Sequence, residues 1–376
     1  MNQPLAVLYV HHTSILGGAE QSLADLIAGM NRQAIRPVLA VPEDGPLAEA
    51  LFSLGVEVYL APIARMKRTW NPLTLAGYCF GVLSGARALS RIATDHGIRI
   101  IHANSIYSAP YASLAARFAG TGSVCHLRDI VPARRRARML AGGFDALVPI
   151  SAAVARFHRV DPECVIPSGI DFRRFDTEAT GTPIRTDAGI PRGVPVIGNA
   201  SRFVPWKNHG DFLRAAARIL AEVKDAHFIV AGDDTLGDHP SYEKGLCRLA
   251  EELGIAERVR FVGWRDDVAE LYAAMDLLVH PALDEPFGRA LVEAMGCGVP
   301  VVAYDGAGPA EIVKEADTGH LVPAGNWEAL ASRAIEILRN DELRAELGAA
   351  AKKDVRARFA ADLIAYRVMK VYGLEI

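Results

Sequence analysis

The chain contains no Asp-x-Asp and no His-Glu-x-x-His, and its five cysteines (Cys79, Cys125, Cys164, Cys247 and Cys297) are scattered without a Cys-x-x-Cys. The first two absences leave a metal-dependent mechanism with no visible ligands. The third argues against a zinc site and for a reducing compartment. The N-terminus lacks the basic-then-apolar form of a signal peptide. Thr69–Ala86 carries no charge, but it is interrupted by Pro72, Gly77, Gly81 and Gly85 and falls short of the ~20 apolar residues that span a bilayer. Short-period repeats and low-complexity tracts are also missing. These absences together point to a cytoplasmic protein that needs no metal.

What is present is a chain of 376 residues, 51% hydrophobic and 23% charged, which suits a soluble enzyme of two domains. The net charge of −3 is unevenly spread: residues 1–178 carry 18 Lys/Arg against 14 Asp/Glu, and the remainder 23 against 30. The basic residues of the first half cluster as Arg65/Lys67/Arg68 beside Trp70, and as Arg134-Arg135-Arg136 with Arg138. Next to the uncharged stretch they form a candidate surface for anionic lipid or a lipid-diphosphate acceptor at the inner face of the membrane. The alternative is a solvated charge run. A negative total charge and the lack of any recognition motif argue against nucleic acid.

Short β-rich runs alternate with helix-length segments throughout. Strands are expected at Leu5–Val10, Pro37–Val41, Val56–Leu60, Arg99–His102, Ser123–Leu127 and Ala146–Ile150, and again at Val196–Ala200, Phe228–Ala231, Val259–Val262, Leu277–His280 and Val299–Ala303. This alternation implies parallel sheets wrapped by helices. A loss of periodicity marks residues 179–194 as a linker. It divides a Rossmann-like domain over 1–178 from a second over 195–358, and two such doubly wound halves face each other across a cleft. The chain closes in helices, the last at Asp362–Tyr372.

Three segments carry candidate chemistry. Leu16-Gly17-Gly18-Ala19-Glu20 follows the first strand and opens a helix, so backbone amides could approach a phosphate or sugar closely. It is not the Gly-x-Gly-x-x-Gly pattern, and a plain turn with an acid at the helix N-terminus is the alternative. Ser201 to Asn208 follows the first strand of the second half, where Arg202 and Lys207 could clamp a diphosphate. Glu285-Pro-Phe-Gly-Arg-Ala-Leu-Val-Glu293 sets two carboxylates eight residues apart, one in a loop and one on the following helix. That is a layout for an elongated, polyhydroxylated ligand. On the first half, His126 and Arg128 end one expected strand and His102 and Asn104 end another. His126 could meet a sugar hydroxyl or be structural, and His102, Asn104 and Arg128 are weaker cleft or acceptor candidates.

These segments, with Ile166-Pro-Ser-Gly-Ile-Asp171, Val259-Arg-Phe-Val-Gly263 and Gly306-Ala-Gly-Pro-Ala-Glu311, resemble the retaining glycosyltransferases of family 4 (glycosyl transferases group 1), in that family's order and over nearly the whole length. The resemblance implies a GT-B fold and metal-independent transfer of a sugar from a nucleotide-diphosphate donor to an acceptor hydroxyl, with no cofactor. It implies a carbohydrate or lipid-linked acceptor, in surface-polysaccharide or glycolipid biosynthesis. Arg202 and Lys207 would hold the diphosphate, Glu293 the ribose, and Glu285 would lie near the sugar. Amides of Phe287, Gly288 and Arg289 would meet sugar or phosphate oxygens, Gly17 and Gly18 would line the donor site, and His126 would approach the sugar. Glu285, His126, Arg202 and Lys207 are thus the catalytic candidates. The last helix, 360–376, would pack back on the first domain. Asn208 and Ala307 stand where the family often has Gly. An epimerase on the same scaffold and a silent sugar-nucleotide binder are the other readings.

Overall fold

The computed structural model describes residues 3–64, 71–130, 143–235 and 237–374. Arg65, Lys67, Arg68, Trp70 and the Arg134–Arg138 cluster lie outside them. Short runs rich in Val, Ile and Leu form the strands β1 (Leu5–Val10), β2 (Ile35–Val41), β3 (Glu57–Leu60), β4 (Ile100–Ala103), β5 (Gly122–Leu127), β6 (Ala146–Pro149), β7 (Val196–Ala200), β8 (His227–Ala231), β9 (Val259–Gly263), β10 (Leu277–His280), β11 (Val301–Asp305) and β12 (His320–Pro323). The central ones are near-continuous apolar runs because both faces of a parallel sheet are covered.

Two six-stranded sheets result, ordered β3-β2-β1-β4-β5-β6 and β12-β11-β10-β7-β8-β9. Every pairing is parallel, with Val10 opposite both Ala40 and Ala103, and Ile197 opposite both Phe228 and Leu277. Read from its own first strand, each sheet has the same 3-2-1-4-5-6 order, the doubly wound arrangement. The point where the order reverses lies between β1 and β4 in one sheet and between β7 and β10 in the other.

The chain divides into two compact units, Met1–Gly169 with Ala361–Ile376, and Ile170–Ala360. The first thus ends at Gly169 rather than at 178, and the segment expected as a linker contains a helix, Thr182–Asp187, inside the second unit. Its Arg185 donates to the Ala274 and Val194 carbonyls and to Asp276, which ties this segment to the sheet. The last helix, Ala361–Val371, buries Ile364, Ala365, Val368 and Met369 in the core of the first unit with Val7, Tyr9, Leu23 and Ile27. Their spacing is that of one helical face.

A 24-residue helix, Pro72–Asp95, was not expected in the uncharged stretch. Pro72 falls in its first turn, where a missing N–H costs nothing, and the Asn71 side chain caps it by accepting from Leu73 and Thr74. Gly85 lets it lie against Tyr111, since a Cβ there would come within 2.7 Å of the ring. Its second half is buried through Ala86, Leu89 and Ala93, while Leu73 and Phe80 in the first half are exposed. Among the described residues no helix is long and apolar enough to cross a membrane.

The seat of the last helix is tight. A Cβ on Gly29 would lie 2.4 Å from the Ala361 carbonyl. Gly29→Ala should therefore destabilise the first unit by about 1–3 kcal/mol and lower its calorimetric transition by about 2–4 °C per kcal/mol. An unchanged transition would mean that Ala361 does not rest on this turn.

Candidate functional site

In the second unit the reversal point gathers the residues read as diphosphate and sugar contacts. Ser201 and Arg202 leave the carboxyl end of β7. The Ser201 amide donates to Ala231 and that of Phe203 to Asp233, and Phe203 is buried. The backbone is thereby fixed on both sides of Arg202. Gly232 permits this, since a Cβ there would meet the Ser201 carbonyl at 2.0 Å. Arg202 is half-buried, and among the described residues its side chain has no hydrogen-bond or ion-pair partner.

Lys207 closes a single turn, Pro205–Lys207, before the helix His209–Glu222. Between them Asn208 adopts φ 55°, a left-handed conformation that Asn tolerates better than most residues. That requirement accounts for Gly being common at this place. Lys207 pairs with Glu285 and lies 4.3 Å from the centre of the Trp206 ring. Leu283 donates its amide to the Trp206 carbonyl at 2.9 Å, so the two loops are joined by backbone as well as by charge.

Glu285 is buried. Burial opposes its ionisation, but the Lys207 charge and the His280 hydrogen bond (3.2 Å) outweigh this and hold the carboxyl at about 2. His280 ends β10 and is itself pushed down by burial, against the pull of Glu285. It was absent from the residues singled out in the sequence, although its place at a strand end, five residues before Glu285, was the available signal. Among the described residues its buried Nδ1 has no hydrogen-bond partner.

Glu293 lies on the helix Arg289–Cys297, which starts at Gly288 with φ 108°. It accepts from the Tyr272 hydroxyl at 2.9 Å and from Arg289 at 2.8 Å. Glu285 and Glu293 therefore have separate partners. Phe287 is fixed by Gly308, whose amide donates to the Glu285 carbonyl at 2.8 Å and whose Cβ would collide with the Phe287 carbonyl at 2.0 Å. The neighbouring Ala307 sits at φ 41°, which costs a non-glycine residue about 1 kcal/mol.

The first unit fills its own reversal point with polar side chains. His11, just past β1, meets Glu20 at 2.5 Å, and the second Glu20 oxygen accepts the Gly17 amide at 3.1 Å. Gly17 and Gly18 thus open a helix whose own acid occupies the first turn. Burial opposes ionisation of Glu20, yet His11 holds it at about 2. Asn104 approaches His11 at 3.2 Å and accepts from Arg128, which also donates to Ser22 and Ser168. His102 and His126 meet at 2.7 Å, and His126 is only 2% exposed. Among the described residues no group of three or more His, Cys, Asp or Glu side chains is placed to hold a metal ion.

Glu20 and Glu285 bear on acid stability. A carboxyl held below its ordinary value of 4.5 gives stability that is present above that pH and lost as pH falls through the folded value. Wild-type protein should lose stability between about pH 4.5 and 2. A Glu20→Gln/Glu285→Gln variant should be weaker at pH 7 and show a flatter slope in that window by denaturant titration. An equal slope would contradict both pairings.

With this geometry in place, two family models match the chain: one described as "Glycosyl transferases group 1" over residues 182–354, and "Glycosyl transferase 4-like domain" over residues 17–169. N-acetyl-alpha-D-glucosaminyl L-malate synthase of Bacillus anthracis is 32% identical over 191 residues, 51% of this chain and 48% of that protein. The lipopolysaccharide core biosynthesis mannosyltransferase LpsB of Rhizobium meliloti is 30% identical over 237 residues, 62% of this chain and 67% of that one. The chain spans about half the length of the first curated relatives it matches. Among solved structures, Anabaena Alr3699/HepE in complex with UDP-glucose aligns with a TM-score of 0.84 at 26% identity, covering 98% of this chain and 99% of the other. The chain belongs to the glycosyl transferases group 1 family and has the GT-B fold.

Proposed function

We propose that the protein is a retaining glycosyltransferase, moving a sugar from a nucleotide-diphosphate donor to an acceptor hydroxyl in surface-polysaccharide or glycolipid biosynthesis. The observation that carries this reading is Arg202, a cation without an ion-pair partner among the described residues, held at the carboxyl end of β7 by the bonds of Ser201 and Phe203, five residues before the Lys207 that pairs with Glu285. The UDP and UDP-glucose complexes of the similar Anabaena protein support it. Ligands of open α/β sheets collect at this place.

In this reading the Arg202 guanidinium grips the diphosphate through two parallel hydrogen bonds, and Lys207 adds a point charge shared with Glu285. Both stabilise the charge that grows as the bond from the sugar's anomeric carbon to phosphate breaks. The new bond to the acceptor oxygen forms on the same face, and the acceptor proton passes to the departing phosphate. Glu285, ionised and held by Lys207 and His280, orients sugar hydroxyls and is not the nucleophile. Glu293 keeps lone pairs for ribose hydroxyls beside its bonds to Tyr272 and Arg289. The family resemblance assigns His126 a sugar hydroxyl as its partner. Charge on the leaving group is met by cations and helix N-termini, so transfer should persist in EDTA.

A thermal-shift screen with UDP, GDP and ADP sugars should reveal one donor class that raises the transition. With that donor, Arg202→Ala should lower kcat/KM by about 100-fold or more, and Glu293→Ala should chiefly weaken nucleotide binding. Full transfer by an Arg202→Ala/Lys207→Ala variant would defeat the proposal. Release of an epimerised free sugar, or binding with no turnover, would replace it.

The exposed apolar half of helix Pro72–Asp95 is the described surface that fits a lipid-linked acceptor. Leu73→Ser/Phe80→Ser should reduce sedimentation with vesicles of anionic phospholipid while leaving the donor thermal shift intact. Equal sedimentation of variant and wild type would remove the membrane from the scheme.

A further inference from the structure

Five buried side chains of the first unit form one hydrogen-bonded line. Tyr9 on β1 meets Met30 Sδ at 3.4 Å and the Tyr372 hydroxyl at 2.9 Å. The Tyr372 oxygen meets His102 Nδ1 at 2.5 Å, and His102 Nε2 meets His126 Nδ1 at 2.7 Å. The two imidazole planes are within 20° of parallel with centroids 4.8 Å apart, and the 2.7 Å nitrogen separation sets the rings edge to edge rather than face to face. Beyond His126 the line stops: among the described residues its Nε2 has no hydrogen-bond partner.

Each hydroxyl has one proton and each neutral imidazole one N–H, so the bonds must all run in the same sense. In one sense Tyr9 donates to Met30, Tyr372 to Tyr9, His102 Nδ1–H to Tyr372 and His126 Nδ1–H to His102, which makes four bonds. In the reverse sense Tyr9 donates to Tyr372, Tyr372 to His102 and His102 Nε2–H to His126, which makes three and leaves the Met30 sulfur unused. The first sense leaves His126 Nε2 as a bare lone pair.

We infer that Tyr9, Tyr372 and His102 are positioning residues which fix the tautomer of His126, so that its Nε2 accepts a hydrogen bond from a sugar hydroxyl. This rests on the reading of His126 as a sugar contact. Neutrality of the line is consistent with its burial, which pushes His102 down to about 3, lowers His126 well below its ordinary range and raises both tyrosines. A charged imidazolium would have broken the one-way count.

The proposal makes opposite demands on two conservative variants, read by 15N NMR of the histidine rings in the ligand-free protein. Tyr9→Phe removes the acceptor for the Tyr372 proton, which must then go to His102. The line reverses, and His126 changes from an Nδ1–H to an Nε2–H tautomer. Tyr372→Phe keeps the ring that packs edge-on against His102 (86°, 5.8 Å) but cuts the line, and His126 should show both tautomers. With the donor found above, both variants should lose about tenfold in kcat, the worth of one hydrogen bond, with little change in donor KM. An unchanged His126 signature in Tyr9→Phe overturns the relay. A changed signature with unchanged kcat overturns the assignment of His126 to the sugar, and so separates that failure from failure of the relay.

Discussion

Both units depend on one topological constraint. In a parallel sheet of order 3-2-1-4-5-6 the connections on either side of the first strand run to opposite faces, so the loops after two neighbouring strands diverge and leave a crevice. The same crevice is built twice here and used in two ways. In the first unit His11, Glu20, Asn104 and Arg128 satisfy one another across it. In the second unit the strand ends carry Arg202, which has no hydrogen-bond or ion-pair partner among the described residues. Identical topology thus yields one crevice whose polar groups pair with one another and one that leaves Arg202 unpaired among the described residues.

Buried carboxylates are the second shared theme. A buried charge is tolerated only when it is paired and hydrogen-bonded, and each unit has its own solution. Glu20 is held within its own helix turn and by an imidazole nine residues away. Glu285 is held by a lysine 78 residues earlier, so its pairing also fixes the relative position of two loops. The backbone around it is equally constrained: Asn208, Gly288 and Ala307 all take positive φ, and Gly308 has no room for a side chain. Two places where the chain departs from the glycines frequent in its family are therefore conformational compromises next to the charged groups.

Much of this was legible in the sequence, where the cause is local. β1 matches its expected bounds because an apolar run ends at His11-His12; Arg202, Lys207 and Glu285 occupy the strand-to-helix turns their composition suggested, and Glu293 the helix that follows. The misreadings come from residues with two meanings. Pro72 and its following glycines looked like breakers, whereas Pro opens a helix readily and Gly85 serves close packing. β12 is a four-residue strand headed by a histidine, too short to show alternation. Pairings between distant positions, such as Lys207 with Glu285 or His102 with Tyr372, leave no trace in spacing. Sequence alone left His126 open between a sugar contact and a structural role; the fold buries it and bonds its Nδ1 to His102.

The first unit is discontinuous, and this has a consequence for the order in which the molecule is made. Ile364, Val368 and Tyr372 belong to its core, yet the ribosome adds them only after all of Ile170–Ala360. The continuous second unit can therefore close its core while the nascent first unit still lacks a helix and exposes the apolar groove between Leu23, Ile27 and Tyr9. Domains that emerge first usually fold first. Here Tyr9 must wait for a residue 363 positions later, and until then it has neither the Tyr372 hydroxyl nor its cover.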